Sequence, residues 1–250
     1  MSASATSAVG ATQRAFKPSF FFWMTLLMAF FVFSGFGMTY LFPLARGTFP
    51  PAPPIVHLHG IVFFSWMILL IVQAALIGSG NVTLHRSLGT YGIAHATVIL
   101  YTGALIQLLG ISRSIRNGGT GPFDAGFLGL MAVVGFALLF TLAIRNVRKP
   151  EVHKRLILFA MLPILPPGVN RFYQVPFGLD YIPVLPLYVT LDSMALAILV
   201  QEWRSTGRIG KYSMIGAGFI FLQSLVHVPI VHSDWFLEAV RHVAGMIRYR

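Results

Sequence analysis

The chain has 250 residues, of which 56% are hydrophobic and 10% are charged, and its 18 Lys and Arg against 7 Asp and Glu give a net charge of +11. Soluble domains usually carry about 25% charged residues, so this composition excludes an ordinary soluble protein and is typical of an integral membrane protein. The basic residues stand in short clusters between long apolar runs, a pattern of membrane-protein loops, so no nucleic-acid partner is expected.

Seven apolar segments are predicted to cross the bilayer as helices, because each is near the ~20 residues that a hydrocarbon core of about 30 Å requires. They cover residues 20–43, 55–79, 87–112, 123–145, 153–175, 182–203 and 212–232. Residues 1–19 are small and polar and predict a disordered tail, which leaves 20–232 as the transmembrane domain. The predicted fold class is therefore all-α, a polytopic membrane helix bundle with the lipid bilayer as its surroundings.

The distribution of basic residues predicts the orientation. With the N-terminus in the cytoplasm, eleven basic residues fall on the cytoplasmic side and seven on the other side. The densest cluster, residues 145–155, is then cytoplasmic. Because cytoplasmic loops carry an excess of Lys and Arg, we expect a cytoplasmic N-terminus and a C-terminus on the opposite side.

Two segments depart from a plain membrane span. The fifth contains Pro163, Pro166 and Pro167, each of which removes an amide donor, so a kink or a break is predicted near 163–168. In residues 233–250, apolar side chains recur at helical spacing, and the arginines of the segment stand at other positions. This pattern predicts an amphipathic helix lying in the outer membrane interface.

Three polar residues inside the spans are candidates for function, because such groups are costly in a bilayer. His95 and Asp192 are expected at similar depth on the third and sixth spans, where a contact between them is possible. Arg171, near the outer end of the fifth span, is one possible partner for Asp192. For His95, a hydrogen bond from a neutral imidazole to a backbone carbonyl is the simpler alternative.

Histidines also gather near both predicted membrane faces. His57 and His59 begin the second span and His227 and His232 end the seventh, so the outer set, above all His59, His227 and His232, is a candidate zinc or copper site. These imidazoles are also candidate axial ligands of a haem.

His85 and His153 begin the third and fifth spans at the inner face. Each is followed by a cation that suits a haem propionate, so a haem b between them is the second candidate. Histidines at the ends of spans also occur without any cofactor, and that alternative stays open for both groups.

The stretch VHLHGIVFFSWMILLIVQAALIGSGNVTLHRSLGTYG resembles a family of uncharacterised bacterial multi-pass membrane proteins. The shared features are a paired-histidine start, a Trp and a Gln in the second helix, and LHRxLG, here His57, His59, Trp66, Gln73, His85, Arg86 and Gly89. The later VHKRLILFA stretch, Arg171 and the helix containing Asp192 also fit this pattern. The resemblance covers about residues 50–240 and implies a bacterial membrane protein but no activity. Together with the orientation given by the basic residues, the expected location is the bacterial inner (cell) membrane with a periplasmic C-terminus.

Two looser similarities concern cofactors. The placement of histidines near both faces is similar to that in diheme b-type transmembrane cytochromes. The span 123–145, however, has no histidine to complete a four-helix ligand set. Seven-helix zinc hydrolases of membranes use a histidine on helix two and HxxxH on helix seven, where this chain has HxxxxH.

Three functions remain open on the sequence. The first is haem b-linked electron transfer, and the second is a zinc- or copper-dependent membrane enzyme. The third is a small-molecule binder or non-catalytic subunit that associates with other membrane-protein subunits and carries no cofactor.

Overall fold

The computed structural model describes residues 16–118 and 122–247. These residues form nine helices and no strand. The helices are α1 Phe20–Ala45, α2 Pro54–Gly78, α3 Val82–Arg116, α4 Pro122–Arg145, α5 Pro150–Met161, α6 Pro166–Phe177, α7 Val184–Thr206, α8 Lys211–Val231 and α9 Asp234–Met246. Residues 1–15, most of the predicted N-terminal tail, lie outside the described part of the chain.

Six of these helices (α1 to α4, α7 and α8) are long and apolar enough to cross a membrane, and α5 with α6 makes a seventh, bent span. The all-α polytopic membrane bundle is thereby confirmed. Consecutive spans run in opposite directions, so we call the side where α1 begins the near face and the side where α1 ends the far face. On the near face, the segment before α1 is bonded to the end of α2, since the Lys17 amide donates to the Gly78 carbonyl at 3.1 Å.

The predicted break in the fifth span is confirmed. A short 3-10 turn at Leu162–Ile164 separates α5 from α6, and the two helix axes differ by 49°. Pro163, Pro166 and Pro167 have no amide hydrogen, so the regular helical hydrogen bonds cannot continue through this segment. α5 packs against α4 and α8, whereas α6 packs against α1 and α7.

Two glycines bring α1 and α6 unusually close. A Cβ on Gly35 would lie 2.2 Å from the carbonyl oxygen of Gly168, and a Cβ on Gly168 would lie 2.9 Å from the Cα of Val32. Only glycine at both positions permits this backbone approach, as at many helix contacts in membranes. The contact fixes the start of α6 and therefore the position of the residues that follow it.

The core is centred on α4, which packs against α3, α5, α8 and α9. Its Phe136 and Leu139 are fully buried, as are Phe159 of α5 and Leu191 of α7. Near the near face, the buried guanidinium of Arg155 is 2.9 Å from Glu151 and 3.5 Å from Glu202. The pair with Glu151 lies within α5, and the pair with Glu202 ties α5 to α7.

The C-terminal helix predicted over 233–250 is present as Asp234–Met246, and residues 248–250 lie outside the described part. Its Phe236, Val240 and Ala244 are buried, and the helix packs on α3 and α4. The Ser112 hydroxyl of α3 donates to the Ala244 carbonyl at 3.2 Å. The interfacial position of this helix stays a prediction.

Candidate functional site

Two cavities lie inside the bundle, one in each half. The far cavity has a volume of about 640 Å³ and is lined by α1, α2, α3, α4, the 3-10 turn, α6 and Ile182. The near cavity has about 140 Å³ and is lined by α1 to α5. Ligand pockets in proteins usually have about 300–1,000 Å³, so the far cavity has the size of a small-molecule site and the near cavity does not.

The walls of the far cavity are mainly apolar. Aromatic rings of α1 and α2 and aliphatic side chains of α3 and α4 make up most of the surface, namely Phe36, Phe63, Phe64, Ile99, Leu100, Ile106, Leu128 and Val133. Gly60, Gly103 and Gly129 also lie in the wall, where small residues leave space. The polar members are few, namely Asn170, Arg171 and Gln174 on α6 and Thr39, Tyr40, His59 and Gln107 on α1 to α3, which is the usual composition of a ligand pocket.

Among the described residues, Arg171 is the one Lys or Arg that lines the far cavity. Its Nη1 donates to the Pro167 carbonyl at 2.9 Å, and its guanidinium carbon is 4.5 Å from the centre of the Phe36 ring. Within residues 16–118 and 122–247, no carboxylate lies within 4.0 Å of it, since every such ion pair involves Lys154, Arg155 or His227 instead. The predicted pairing of Arg171 with Asp192 is therefore not formed.

His59 and Asn170 also line the far cavity. The Thr102 hydroxyl donates to the Val98 carbonyl at 2.8 Å, so His59 Nδ1–H donates to the Thr102 oxygen at 3.1 Å. The proton of the neutral ring is then on Nδ1, which leaves the lone pair of Nε2 available. Asn170 is 6% exposed, and its side-chain oxygen has no partner among the described residues.

The near cavity brings His85 and His153 together, as both rings line it. His85 Nδ1 donates to the Gln73 carbonyl at 3.3 Å, and His153 Nδ1 donates to the Ala143 carbonyl at 2.9 Å. Neither Nε2 forms a hydrogen bond to any described residue. A backbone carbonyl on one imidazole nitrogen is the arrangement that orients histidines as metal ligands through the other nitrogen.

The outer histidines are not gathered into one site. His57 hydrogen bonds to the Tyr40 hydroxyl at 2.9 Å, and exposed His232 donates from Nδ1 to the Val228 carbonyl at 2.9 Å. α2 carries His59 and packs against α1 and α3, whereas α8 carries His227 and packs against α4, α5 and α7. The proposed metal set of His59, His227 and His232 therefore does not form.

His227 has a hydrogen-bonded partner on each side of its ring. Its Nε2 donates to Asp124 of α4 at 2.9 Å, and its Nδ1 accepts from the Tyr188 hydroxyl of α7 at 2.7 Å. The ring is fully buried and stacks on Phe127 with centroids 4.7 Å apart. Both nitrogens are occupied, so this histidine links α4, α7 and α8 and offers no free ligand atom in this state.

His95 and Asp192 do not contact each other. His95 Nε2 donates to the Val62 carbonyl of α2 at 2.8 Å, with the Ser65 hydroxyl at 3.3 Å. Asp192 accepts from the Ser224 hydroxyl at 2.9 Å, and its other carboxylate oxygen is buried without a partner among the described residues. His95 therefore ties α3 to α2, and Asp192 ties α7 to α8.

No group of three or more His, Asp or Glu side chains that could hold a metal occurs in the part of the chain that the structure describes. No family model, curated protein or solved structure matches the chain.

Sequence reasoning missed Asn170, Tyr188 and Asp124. Asn170 directly precedes Arg171 and follows the prolines, so its place in a broken helix was the available signal. Asp124 stands in the first turn of α4, where an acid ordinarily stabilises the helix dipole, and nothing in the sequence links it to His227.

Proposed function

We propose that the protein binds a small apolar or amphiphilic molecule from the bilayer inside the far cavity. The observation that carries this proposal is a cavity of about 640 Å³ with mainly apolar walls in the far half of the bundle. Its size lies within the usual range of ligand pockets. Of the three functions left open by the sequence, a small-molecule binder is the one that this geometry favours.

The arrangement of the walls supports the same proposal. Aromatic and aliphatic side chains of four helices offer dispersion contacts to an apolar occupant, and burial of its surface adds about 25 cal/mol for each Å² removed from water. A few polar groups on one side would orient the occupant. On α6 those groups are Asn170, Arg171 and Gln174, and Gln174 lies about one helical turn beyond the other two.

The test is saturable binding of a fluorescent long-chain probe to protein in nanodiscs, with an unlabelled competitor to remove partitioning into lipid. The blocking variant is Gly103→Leu, because a Cβ there makes only an ordinary contact of 3.6 Å with His59 and the longer side chain extends into the cavity. The control is Gly110→Leu on the same helix, where a Cβ meets no atom within 4 Å.

We expect saturable binding by the wild type and by Gly110→Leu, with at least a ~10-fold loss of affinity in Gly103→Leu. Two results would contradict the far cavity as the binding site. The first is that the wild type shows no saturable probe binding, and the second is that Gly103→Leu binds the probe as tightly as Gly110→Leu.

The near cavity favours a second candidate, a haem b protein in electron transfer. The specific observation is the pair His85 and His153, each held by a backbone carbonyl with its Nε2 free, in the wall of one cavity. Half-buried Gln73, whose buried side-chain oxygen has no partner among the described residues, lines the same space. A volume of about 140 Å³ requires the walls to move apart before a porphyrin enters.

An absorption spectrum of the detergent-purified protein, oxidised and dithionite-reduced, tests the haem candidate. A Soret band that is lost in His85→Ala and in His153→Ala but kept in His232→Ala would support it, because His232 is exposed and lines neither cavity. A featureless spectrum after haem-supplemented expression would reject it and leaves the far-cavity proposal untouched.

We also propose a bacterial inner membrane location with a cytoplasmic N-terminus and a periplasmic C-terminus. The excess of basic residues on one side of the seven spans supports this orientation. Alkaline phosphatase fused after residue 250 should be active, and a fusion in the loop between α4 and α5 should not be. The reverse pattern would invert the proposed topology.

A further inference from the structure

We infer that the occupant of the far cavity is a long-chain amphiphile with a negatively charged head group, and that Arg171 binds that head group. This inference rests on the proposed function and adds the chemical class of the ligand.

The acidic residues of the chain do not neutralise Arg171. All seven of them lie within the described residues, and none comes within 4.0 Å of its guanidinium. Four of them have a side-chain hydrogen bond or an ion pair elsewhere, Asp124 with His227, Glu151 and Glu202 with Arg155, and Asp192 with Ser224. None of the acidic side chains is therefore a direct counter-ion of Arg171, which leaves its guanidinium available to an anion of another molecule.

Arg155 is a guanidinium of this protein whose charge is paired by its own carboxylates. It is 2% exposed, and two carboxylates and the Glu151 carbonyl, at 2.7 Å, surround it. Arg171, which is half-buried, lies in a membrane span with a single carbonyl and one aromatic face as its partners. Charges inside membranes are costly unless paired, and such residues usually mark a ligand or ion site.

The guanidinium is also well placed to bind an anion. Of its five N–H donors, one is used by the Pro167 carbonyl within the described residues, and the planar fork suits carboxylate and phosphate oxygens. The Phe36 ring covers one face at 4.5 Å, and the contact between Gly35 and Gly168 fixes the backbone one helical turn before Arg171. The donors are therefore held in place before a ligand binds.

Asn170 provides an independent indication of a ligand. This side chain is 6% exposed and lines the cavity next to Arg171, yet its oxygen has no partner among the described residues. Buried polar atoms are nearly always hydrogen-bonded, so an unpartnered one in a cavity wall points to a polar group of an occupant.

The rest of the cavity selects an amphiphile over a free anion. Beyond α6, four polar residues line the cavity, but most of the wall is formed by rings and aliphatic chains such as Phe63, Leu100 and Leu128, which offer nothing to a small hydrated anion. An aliphatic chain of a fatty acid or an alkyl phosphate fits these walls while its head group reaches Arg171.

The experiment measures displacement of a neutral fluorescent long-chain probe in phosphatidylcholine nanodiscs. The competitors are palmitate, hexadecyl phosphate, methyl palmitate and acetate, and the proteins are wild type, Arg171→Gln, Arg171→Lys and Arg46→Gln. Arg46 is an exposed arginine at the far face, which controls for charge alone. Melting curves without competitor show which variants are folded.

We expect palmitate or hexadecyl phosphate to displace the probe from the wild type at about 10-fold or more lower concentration than methyl palmitate, as a charge-assisted hydrogen bond implies. Arg171→Gln should abolish this preference, Arg171→Lys should retain part of it, and Arg46→Gln should keep it in full.

The other outcomes separate the two proposals. Equal potency of acid and ester on the wild type would overturn the charged head group and leave the binding cavity intact, and this result does not depend on any variant folding. Displacement by acetate at the concentration of palmitate would overturn the amphiphile. If the wild type has no saturable probe binding that any competitor displaces, the proposed function itself is overturned.

Discussion

Replacing Gly35 with alanine tests the packing that positions Arg171. The new Cβ would lie 2.2 Å from the Gly168 carbonyl oxygen and 3.1 Å from the Arg171 Cβ, against an ordinary contact distance of 3.4 Å or more. The closest atom belongs to the backbone, so no change of rotamer relieves the overlap. α1 and α6 must therefore separate by about 1 Å.

The expected magnitude follows from two opposing effects. Overpacking of this kind costs about 1–3 kcal/mol, whereas alanine in place of glycine inside a helix gains about 0.5–1 kcal/mol. Gly218→Ala isolates the gain, because Gly218 lies inside α8 and a Cβ there meets no atom within 4 Å. For a chain of this size, 1 kcal/mol shifts Tm by roughly 2–4 °C, so Gly35→Ala should unfold at least ~2 °C below Gly218→Ala.

The assay is thermal unfolding in one detergent, followed by intrinsic fluorescence, with both variants measured beside the wild type. Gly168→Ala, whose Cβ would lie 2.9 Å from the Cα of Val32, should also fall below Gly218→Ala. If Gly35→Ala unfolds at the temperature of Gly218→Ala or above it, the two backbones are not in contact, and the argument that this contact positions Arg171 fails with it.

Three further changes probe the polar contacts. Glu202→Leu should destabilise the protein by about 3 kcal/mol or more because it weakens a buried ion pair, and the double change with Arg155→Met should recover folded yield measured by size exclusion; no recovery would count against the pair. His227→Phe should lower Tm more than Tyr188→Phe, since it leaves partners unsatisfied on two helices, and the opposite order would contradict the observed bonds. Asp192→Asn should leave Tm within ~2 °C of the wild type or raise it, because the carboxylate has one hydroxyl partner and no cation; a larger fall would reveal an ionic partner.

Most of the fold could be predicted from the sequence because hydropathy is a local property. All seven apolar segments correspond to observed spans, and the prolines located the bend. The boundaries were less accurate where polar residues extend a helix. α3 begins at Val82 rather than near residue 87, since Asn81 caps it by accepting from the Leu84 amide at 3.1 Å.

The sites were less predictable because they depend on which helices are neighbours. Depth along each span permitted a contact between His95 and Asp192, but the first lies between α3 and α2 and the second between α7 and α8. The same uncertainty applied to His59 and His227, whose helices pack in different parts of the bundle. His85 and His153 were expected at one face, and the packing of α3, α4 and α5 brings them to one cavity.

The break in the fifth span gives a physical reason why the far cavity and its arginine occur together. α5 remains packed on α4, but after a 49° bend α6 follows α1, so a gap opens between α6 and the first turns of α4. In a bilayer, an interrupted helix is tolerated where its freed carbonyls face protein or a cavity, and the Pro167 carbonyl accepts from Arg171 at such a place. One cluster of prolines thus creates the space and leaves a carbonyl that orients the guanidinium in its wall, so the binding proposal and the fold have a common origin in residues 163–171.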